Sequence, residues 1–323
     1  MRLLRIEGVS KSEEGRTQVQ HVNLIVPAFK KIGLMGETGS GKSTLMKLMA
    51  GLVQPSSGNI YLDNKRIQGP DEVLLPGHDA IAYLSQHFEL RNNYRVHELL
   101  EMANKMEDEE AQRIYSICKI DHLLQRKVNQ VSGGERQRIA LAKLLVGKPR
   151  ILLLDEPFTN LDLFSNRIIN GVIKQVSKEM EITCVLVSHD PAEILSWADE
   201  LVVMQQGKMV YQGSPTQAYY HPPTEYLAGL LGEYNHILPK HTLTRKCWNI
   251  PDTAASFFIR PEQVEIGCDP SIGIPGTVVG ASFLGMTHGI MVRTAELDMM
   301  VYASSAPQIH ETVYVGPKKL RPA

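Results

Sequence analysis

The run Gly36-Glu37-Thr38-Gly39-Ser40-Gly41-Lys42-Ser43-Thr44 constrains this chain more than any other feature. It fits the pattern G-x-x-x-x-G-K-[ST]. It also lies between an apolar strand signal at 31–35 (KIGLM) and a helical pattern at 43–51 that ends on Gly51. The glycines let the backbone curl so that successive N–H groups face a phosphate, and the helix that follows adds the positive end of its dipole. In such a loop Lys42 reaches the β- and γ-phosphates, and the Ser43 hydroxyl is placed to ligate Mg2+. A glycine-rich turn that merely joins strand to helix is the plainer alternative, but strand, loop and helix all agree with phosphate binding.

A second acidic site follows downstream. Ile151-Leu152-Leu153-Leu154 runs directly into Asp155-Glu156-Pro157. A continuous apolar run suits a parallel strand covered on both faces. Two acids at its end put charge at the carboxyl edge of the sheet, where ligands bind in such folds. Asp155 is expected to hold Mg2+ directly or through water, leaving Glu156 to polarise an attacking water as general base. Strand signals at 22–26, 31–35, 150–155 and 182–188 are interleaved with helical patterns at 43–51, 96–106, 109–118 and 163–178. A hairpin is expected at 58–67, turning on Asp63-Asn64. This alternation predicts an α/β fold with a mostly parallel sheet.

Composition narrows the field. Lys plus Arg (34) nearly balances Asp plus Glu (35), for a net charge of −1, so the basic surplus of a dedicated nucleic-acid binder is absent and no nucleic-acid partner is expected. Cys118, Cys184, Cys247 and Cys268 are scattered without a CxxC pair, which suits isolated thiols in a reducing cytoplasm. The start, MRLLRIEG, lacks the apolar core of a signal peptide. No apolar run approaches the roughly 20 residues that span a bilayer, so a membrane role is expected to come through a partner.

Between the two phosphate-site elements lies Val131-Ser132-Gly133-Gly134-Glu135-Arg136-Gln137-Arg138. Ser132 and two glycines opening a helix, from 135 to about 146, make an N-cap and a second anion nest. This segment resembles the signature motif of ABC ATPases, and in its place between the two site elements it is highly specific. The resemblance covers about residues 1–233 and implies a P-loop NTPase core with a helical subdomain at about 87–131. It implies that two chains pair head to tail, each ATP bridging the loop of one copy and Ser132, Gly133, Gly134 and Glu135 of the other. Gln86 resembles the Q-loop glutamine that touches Mg2+ and links the core to the helical subdomain. Thr159-Asn160-Leu161-Asp162 resembles the D-loop at the dimer contact, and His189 the switch histidine that contacts the γ-phosphate. Carried onto this chain, the family's catalytic residues are Lys42, Glu156 and His189, and its metal ligands Ser43, Gln86 and Asp155. Two departures stand out. The stretch 10–15 lacks the aromatic residue that usually stacks on adenine, so weaker base contact or stacking supplied elsewhere is expected, with Arg16 as one substitute. Glu135 replaces the commoner glutamine and adds a negative charge near phosphate.

After His221-Pro222-Pro223, and clearly after Gly232, helix signals fade. Short strand candidates at 257–266, 275–281, 288–294, 297–303 and 311–316 suggest a small all-β barrel of the OB type over 234–323. The stretch 219–235 resembles the junction that follows the ATPase domain in importer subunits for sugars, polyamines, ferric iron and oxyanions. Phe258-Ile259-Arg260-Pro261-Glu262 resembles the "RPE" segment of their TOBE barrel. The resemblance therefore implies the ATP-hydrolysing subunit of an ABC importer, peripheral on the cytoplasmic face of the membrane. Its partners would be its own twin, integral permease subunits and, through the permease, an external solute-binding protein. An exporter ATPase or a soluble ABC protein is the competing class. One complete motif set, and only residues 87–131 between Gln86 and Ser132, speak against the ribosomal and DNA-repair types.

Overall fold

The computed structural model describes residues 2–86, 90–159, 161–251, 256–270 and 273–318. Asn160 of the expected D-loop, and residues 87–89 at the start of the expected helical subdomain, lie outside them. The chain forms two compact units, 1–215 and 216–323.

The first unit opens with a long antiparallel hairpin, β1 (Arg2–Glu13) and β2 (Arg16–Pro27), turning through Glu14 and Gly15, both with positive φ. The strand signal at 22–26 marks only the end of β2. Breaks in the β1 register between Ile6 and Val9, around Gly8 (φ 57), interrupt the two-residue alternation and hide these strands in the sequence. β1 also pairs with β4 (Ser57–Leu62), and β4 with β5 (Lys65–Arg66). The connecting turn holds Asp63 at φ 49 and Asn64 at φ 65, the left-handed pair that a tight hairpin requires.

The central sheet has six strands in the order β10-β9-β3-β8-β7-β6. They are β3 (Lys31–Met35), β6 (Ile81–Leu84), β7 (Ile151–Asp155), β8 (Thr183–Val187), β9 (Glu200–Gln205) and β10 (Lys208–Gly213). β9, β3, β8, β7 and β6 run parallel, and β10 closes the edge antiparallel. Every residue of β7 and β8 is buried, as parallel strands covered on both faces demand. Around the sheet lie α1 (Lys42–Met49), α2 (Val96–Glu101), α3 (Asp108–Ile117), α4 (Gly133–Leu145), α5 (Leu163–Glu179) and α6 (Pro191–Leu195). The helix expected at 96–106 stops at Glu101. The Asn104 side chain bonds both N–H and C=O of Met106, and Lys105 N–H donates to Val146 O, so the backbone leaves the helical path.

The second unit carries α7 (Pro215–Tyr220), α8 (Glu225–Leu230) and α9 (Thr242–Cys247), with β11 (Asn235–Ile237) paired to β12 (Phe257–Ile259). A five-stranded antiparallel sheet follows in the order β13-β17-β14-β15-β16. Its strands are β13 (Val264–Ile266), β14 (Ile274–Phe283), β15 (His288–Thr294), β16 (Asp298–Ala303) and β17 (Thr312–Pro317). β13 also lies against β16, so the sheet nearly closes into the expected OB-like barrel around Val264, Ile274, Val278, Ile290, Val292, Val301 and Val315. The strand signal at 257–266 splits in two because Pro261 opens a single 3-10 turn between β12 and β13.

Arg260 explains why the units divide at 215 and not near 233. Its side chain, 1% exposed, donates through Nε to Tyr219 O and through Nη1 to the carbonyls of Ala228, Gly232 and Glu233. Those are the unpaired carbonyls at the ends of α7 and α8, which a cation satisfies well. The guanidinium also lies 4.2 Å from the Tyr219 ring centre. The segment 216–233 is thereby bound to the β unit.

Candidate functional site

Four parallel strands end side by side, and each delivers a site residue. β3 leads into the glycine loop, β6 to Gln86, β7 into Asp155-Glu156 and β8 into Ser188-His189. Their registers align, with Leu34 and Asp155 both opposite Val187, and Leu84 opposite Leu154. The carboxyl edge of a parallel sheet is where ligands collect.

The loop needs its glycines. Gly36 has φ 147 and Gly41 φ 100, and a Cβ on either would fall 2.2 Å from a backbone oxygen, of Met204 and Gln18 respectively. Lys42, 5% exposed, donates from Nζ to the carbonyls of Gly36 and Glu37, both at 2.8 Å. Burial pulls its pKa down, against the opposing charges of Glu156, Asp155 and Glu37. Thr44 Oγ1 donates to Gln18 Oε1 at 3.1 Å.

Asp155 is 3% exposed, and both its oxygens are engaged. Ser43 Oγ donates to Oδ1 at 3.1 Å and the Tyr83 hydroxyl to Oδ2 at 2.8 Å. Burial, and next the Asp155 charge, raise the Tyr83 pKa and keep the phenol protonated. Glu156 sits at φ 51, a strained value for a residue with a Cβ that turns its side chain off the strand toward the loop. Its Oε1 lies 2.5 Å from His189 Nε2, and its Oε2 accepts from Gln86 Nε2 at 3.1 Å and Thr159 Oγ1 at 3.3 Å. Ser188 Oγ donates to Glu193 Oε2 at 2.5 Å and accepts from Asp190 N at 3.0 Å, which braces the backbone beside His189.

A cavity of about 370 Å³ is lined by Gln18, the loop residues Thr38, Gly39, Gly41, Lys42, Ser43 and Thr44, and by Gln86, Glu156 and His189. The structure thus brings together the expected phosphate, base and switch residues, whereas Ser132, Gly133, Gly134 and Glu135 do not line it. There, Ser132 caps α4 in a reciprocal box: its Oγ accepts from Glu135 N, and Glu135 Oε2 accepts from Ser132 N at 2.7 Å. The Ser132 N–H holds the Glu135 carboxyl below its usual range, so this charge is spent on the helix cap. Asp162 likewise caps α5 through the N–H groups of Phe164 and Ser165. Arg16 is exposed and, unlike Gln18, does not line the cavity.

Sequence reasoning missed Tyr83, Gln18 and Glu193. For Tyr83 the one available signal was a tyrosine in the apolar strand AIAYLS three residues before Gln86. Among the described residues no group of three or more His, Cys, Asp or Glu side chains forms a metal centre. The donors at the loop are instead hard oxygens, Ser43 Oγ and the Asp155 carboxylate, adjacent and hydrogen-bonded to each other, which is the set that suits Mg2+ alongside phosphate oxygens.

Comparison with known proteins agrees with this geometry. The ABC transporter family model matches residues 19–159 and the TOBE domain model residues 257–318. A sulfate/thiosulfate import ATP-binding protein, CysA of Nephroselmis olivacea, is 33% identical over 304 residues, covering 91% of this chain and 82% of that protein. The chain belongs to the ABC transporter ATPases. Two further relatives of this family are a glucose import ATP-binding protein, GlcV of Saccharolobus solfataricus, and a Fe(3+) ions import ATP-binding protein, FbpC of Pseudomonas fluorescens. GlcV is 34% identical, over 78% of this chain and 75% of that protein. FbpC is 31% identical, over 91% of this chain and 88% of that protein. An ATP-binding cassette of an ABC transporter in its ADP conformation shares the fold, with a TM-score of 0.61 at 23% identity, covering 72% of this chain and all of that one.

Proposed function

We infer that this chain is the ATP-hydrolysing subunit of an ABC importer, coupling ATP binding and hydrolysis to solute movement through integral permease subunits. The convergence of Lys42, Ser43, Gln86, Asp155, Glu156 and His189 at one sheet edge supports this most strongly. Relatives named as import ATP-binding proteins match the chain along most of their length, which favours import over export.

The loop amides bind the phosphates, and the Lys42 amine exchanges its loop carbonyls for phosphate oxygens. Glu156 takes a proton from water as the water oxygen attacks the γ-phosphorus. The bond from the γ-phosphorus to the β,γ-bridging oxygen breaks, giving ADP and inorganic phosphate. His189 and Gln86, one on each oxygen of Glu156, orient that carboxylate and report whether the γ-phosphate is present. Ser43, Asp155 and Gln86 would hold Mg2+, which neutralises phosphate charge when bound. The Ser132 nest lies outside the cavity, so it is free to complete the site of a second copy arranged head to tail.

No helix among the described residues is long and apolar enough to cross a membrane. A peripheral position on the cytoplasmic face, held by the permease and served by an external solute-binding protein, fits this reading. The relatives are named for different solutes, sulfate or thiosulfate, glucose and ferric ions, at similar identity, so the cargo is left to the permease. Glu156→Gln tests the assignment: ATP binding should persist while steady-state hydrolysis falls by about 100-fold or more. Turnover close to the unmodified protein removes Glu156 as the base.

A further inference from the structure

The Tyr83 hydroxyl lies 2.8 Å from Asp155 Oδ2, and no step above uses it. We propose that Tyr83 is a positioning residue for the metal-binding carboxylate: it holds one oxygen of Asp155 so that the other faces Ser43 and the divalent cation that accompanies the nucleotide. This rests on the assignment of the chain as a Mg2+-dependent ATPase.

Strand register makes the contact. β6 and β7 are parallel neighbours with Tyr83 opposite Leu153. Side chains alternate along a strand, so Asp155, two residues beyond Leu153, shares its face. The diagonal neighbour is within reach of an aromatic side chain and beyond most others. The Tyr83 ring packs on the main hydrophobic core, so its hydroxyl is delivered from a fixed base.

Asp155 needs such a partner. A carboxylate rotates easily about its last bond, and Ser43 Oγ on Oδ1 fixes only one end. With Tyr83 on Oδ2 the plane is set and the two oxygens are no longer interchangeable. Without it, the buried carboxylate could turn, or offer both oxygens to a cation in a geometry that Mg2+ tolerates poorly. Partners of ligating carboxylates commonly alter metal affinity by roughly 10- to 100-fold.

A buried phenol that merely finds a hydrogen-bond acceptor would look similar in a static structure, so the test must read the metal. Tyr83→Phe keeps the ring and removes one oxygen. ATP affinity is measured by calorimetry with EDTA and then with excess Mg2+, together with the thermal midpoint of the nucleotide-free protein. Metal-free affinity should stay within about twofold, and the gain on adding Mg2+ should fall about tenfold. The Mg2+ concentration giving half-maximal hydrolysis should rise by a similar factor. An unchanged Mg2+ gain overturns the proposal. So does a parallel loss of metal-free and Mg2+-dependent binding with a lowered midpoint, which marks a packing role. If the unmodified protein binds no ATP even with Mg2+, the ATPase assignment fails and this inference with it.

Discussion

At the scale of single residues, the placement of Lys42, Asp155 and Glu156 at one sheet edge was legible because local sequence alone dictates their setting. A glycine loop after a strand presents the lysine, and an apolar run ending in two acids presents the carboxylates. Gln18, Tyr83 and Glu193 were not legible, since each acts through a partner distant in the chain: Thr44 for Gln18, Asp155 for Tyr83 and Asn166 for Glu193. Lys42→Ala removes the amine that bridges the Gly36 and Glu37 carbonyls and would meet the phosphates. A charge-assisted contact is worth about 1.5–3 kcal/mol, so ATP affinity should drop by about 10- to 100-fold in equilibrium titration. Affinity near that of the unmodified protein takes Lys42 out of its role.

At the scale of elements, the buried strands were the easiest to see. The all-apolar ILLL of β7 and the CVLV of β8 can hardly be anything but covered strands. β1 was hidden because its register breaks between Ile6 and Val9 spoil the alternation, and α2 ends short of the helical pattern because Asn104 bonds the Met106 backbone and Lys105 N–H donates to Val146 O. The Arg260-Pro261-Glu262 resemblance marked the β unit correctly. Sequence could not reveal that Arg260 also ties the ends of α7 and α8 to that unit. Replacing Arg260 with methionine leaves the carbonyls of Tyr219, Ala228, Gly232 and Glu233 without this buried donor. At about 1 kcal/mol for each, the second unit should lose roughly 3–4 kcal/mol of stability. Thermal unfolding followed by calorimetry should show a lowered transition while ATP binding by the first unit continues; an unshifted transition would make Arg260 incidental.

At the scale of the whole molecule, the proposed head-to-tail pairing would make one chain present half of two different sites. Its cavity is lined by the glycine loop, Glu156 and His189, and its Ser132 cap stands apart with the helix end it organises. Gly133 gives a clean way to probe this division. A Cβ there meets nothing within 4 Å, and its φ is not in the left-handed region, so a side chain can leave the backbone at 133 without a clash at its first atom. Gly134, by contrast, would drive a Cβ to 2.8 Å from Ser165 Oγ and confuse folding with function. The open space over Gly133 is where the nucleotide of a twin would sit in a head-to-tail pair. Gly133→Trp, combined with Glu156→Gln, should therefore bind ATP in its own cavity about as tightly as Glu156→Gln alone. Only Glu156→Gln alone should sediment as a dimer in ATP, because the indole blocks the partner's phosphates. An ATP-dependent dimer that survives the tryptophan would mean that copies meet through some other surface, and the composite site would have to be abandoned.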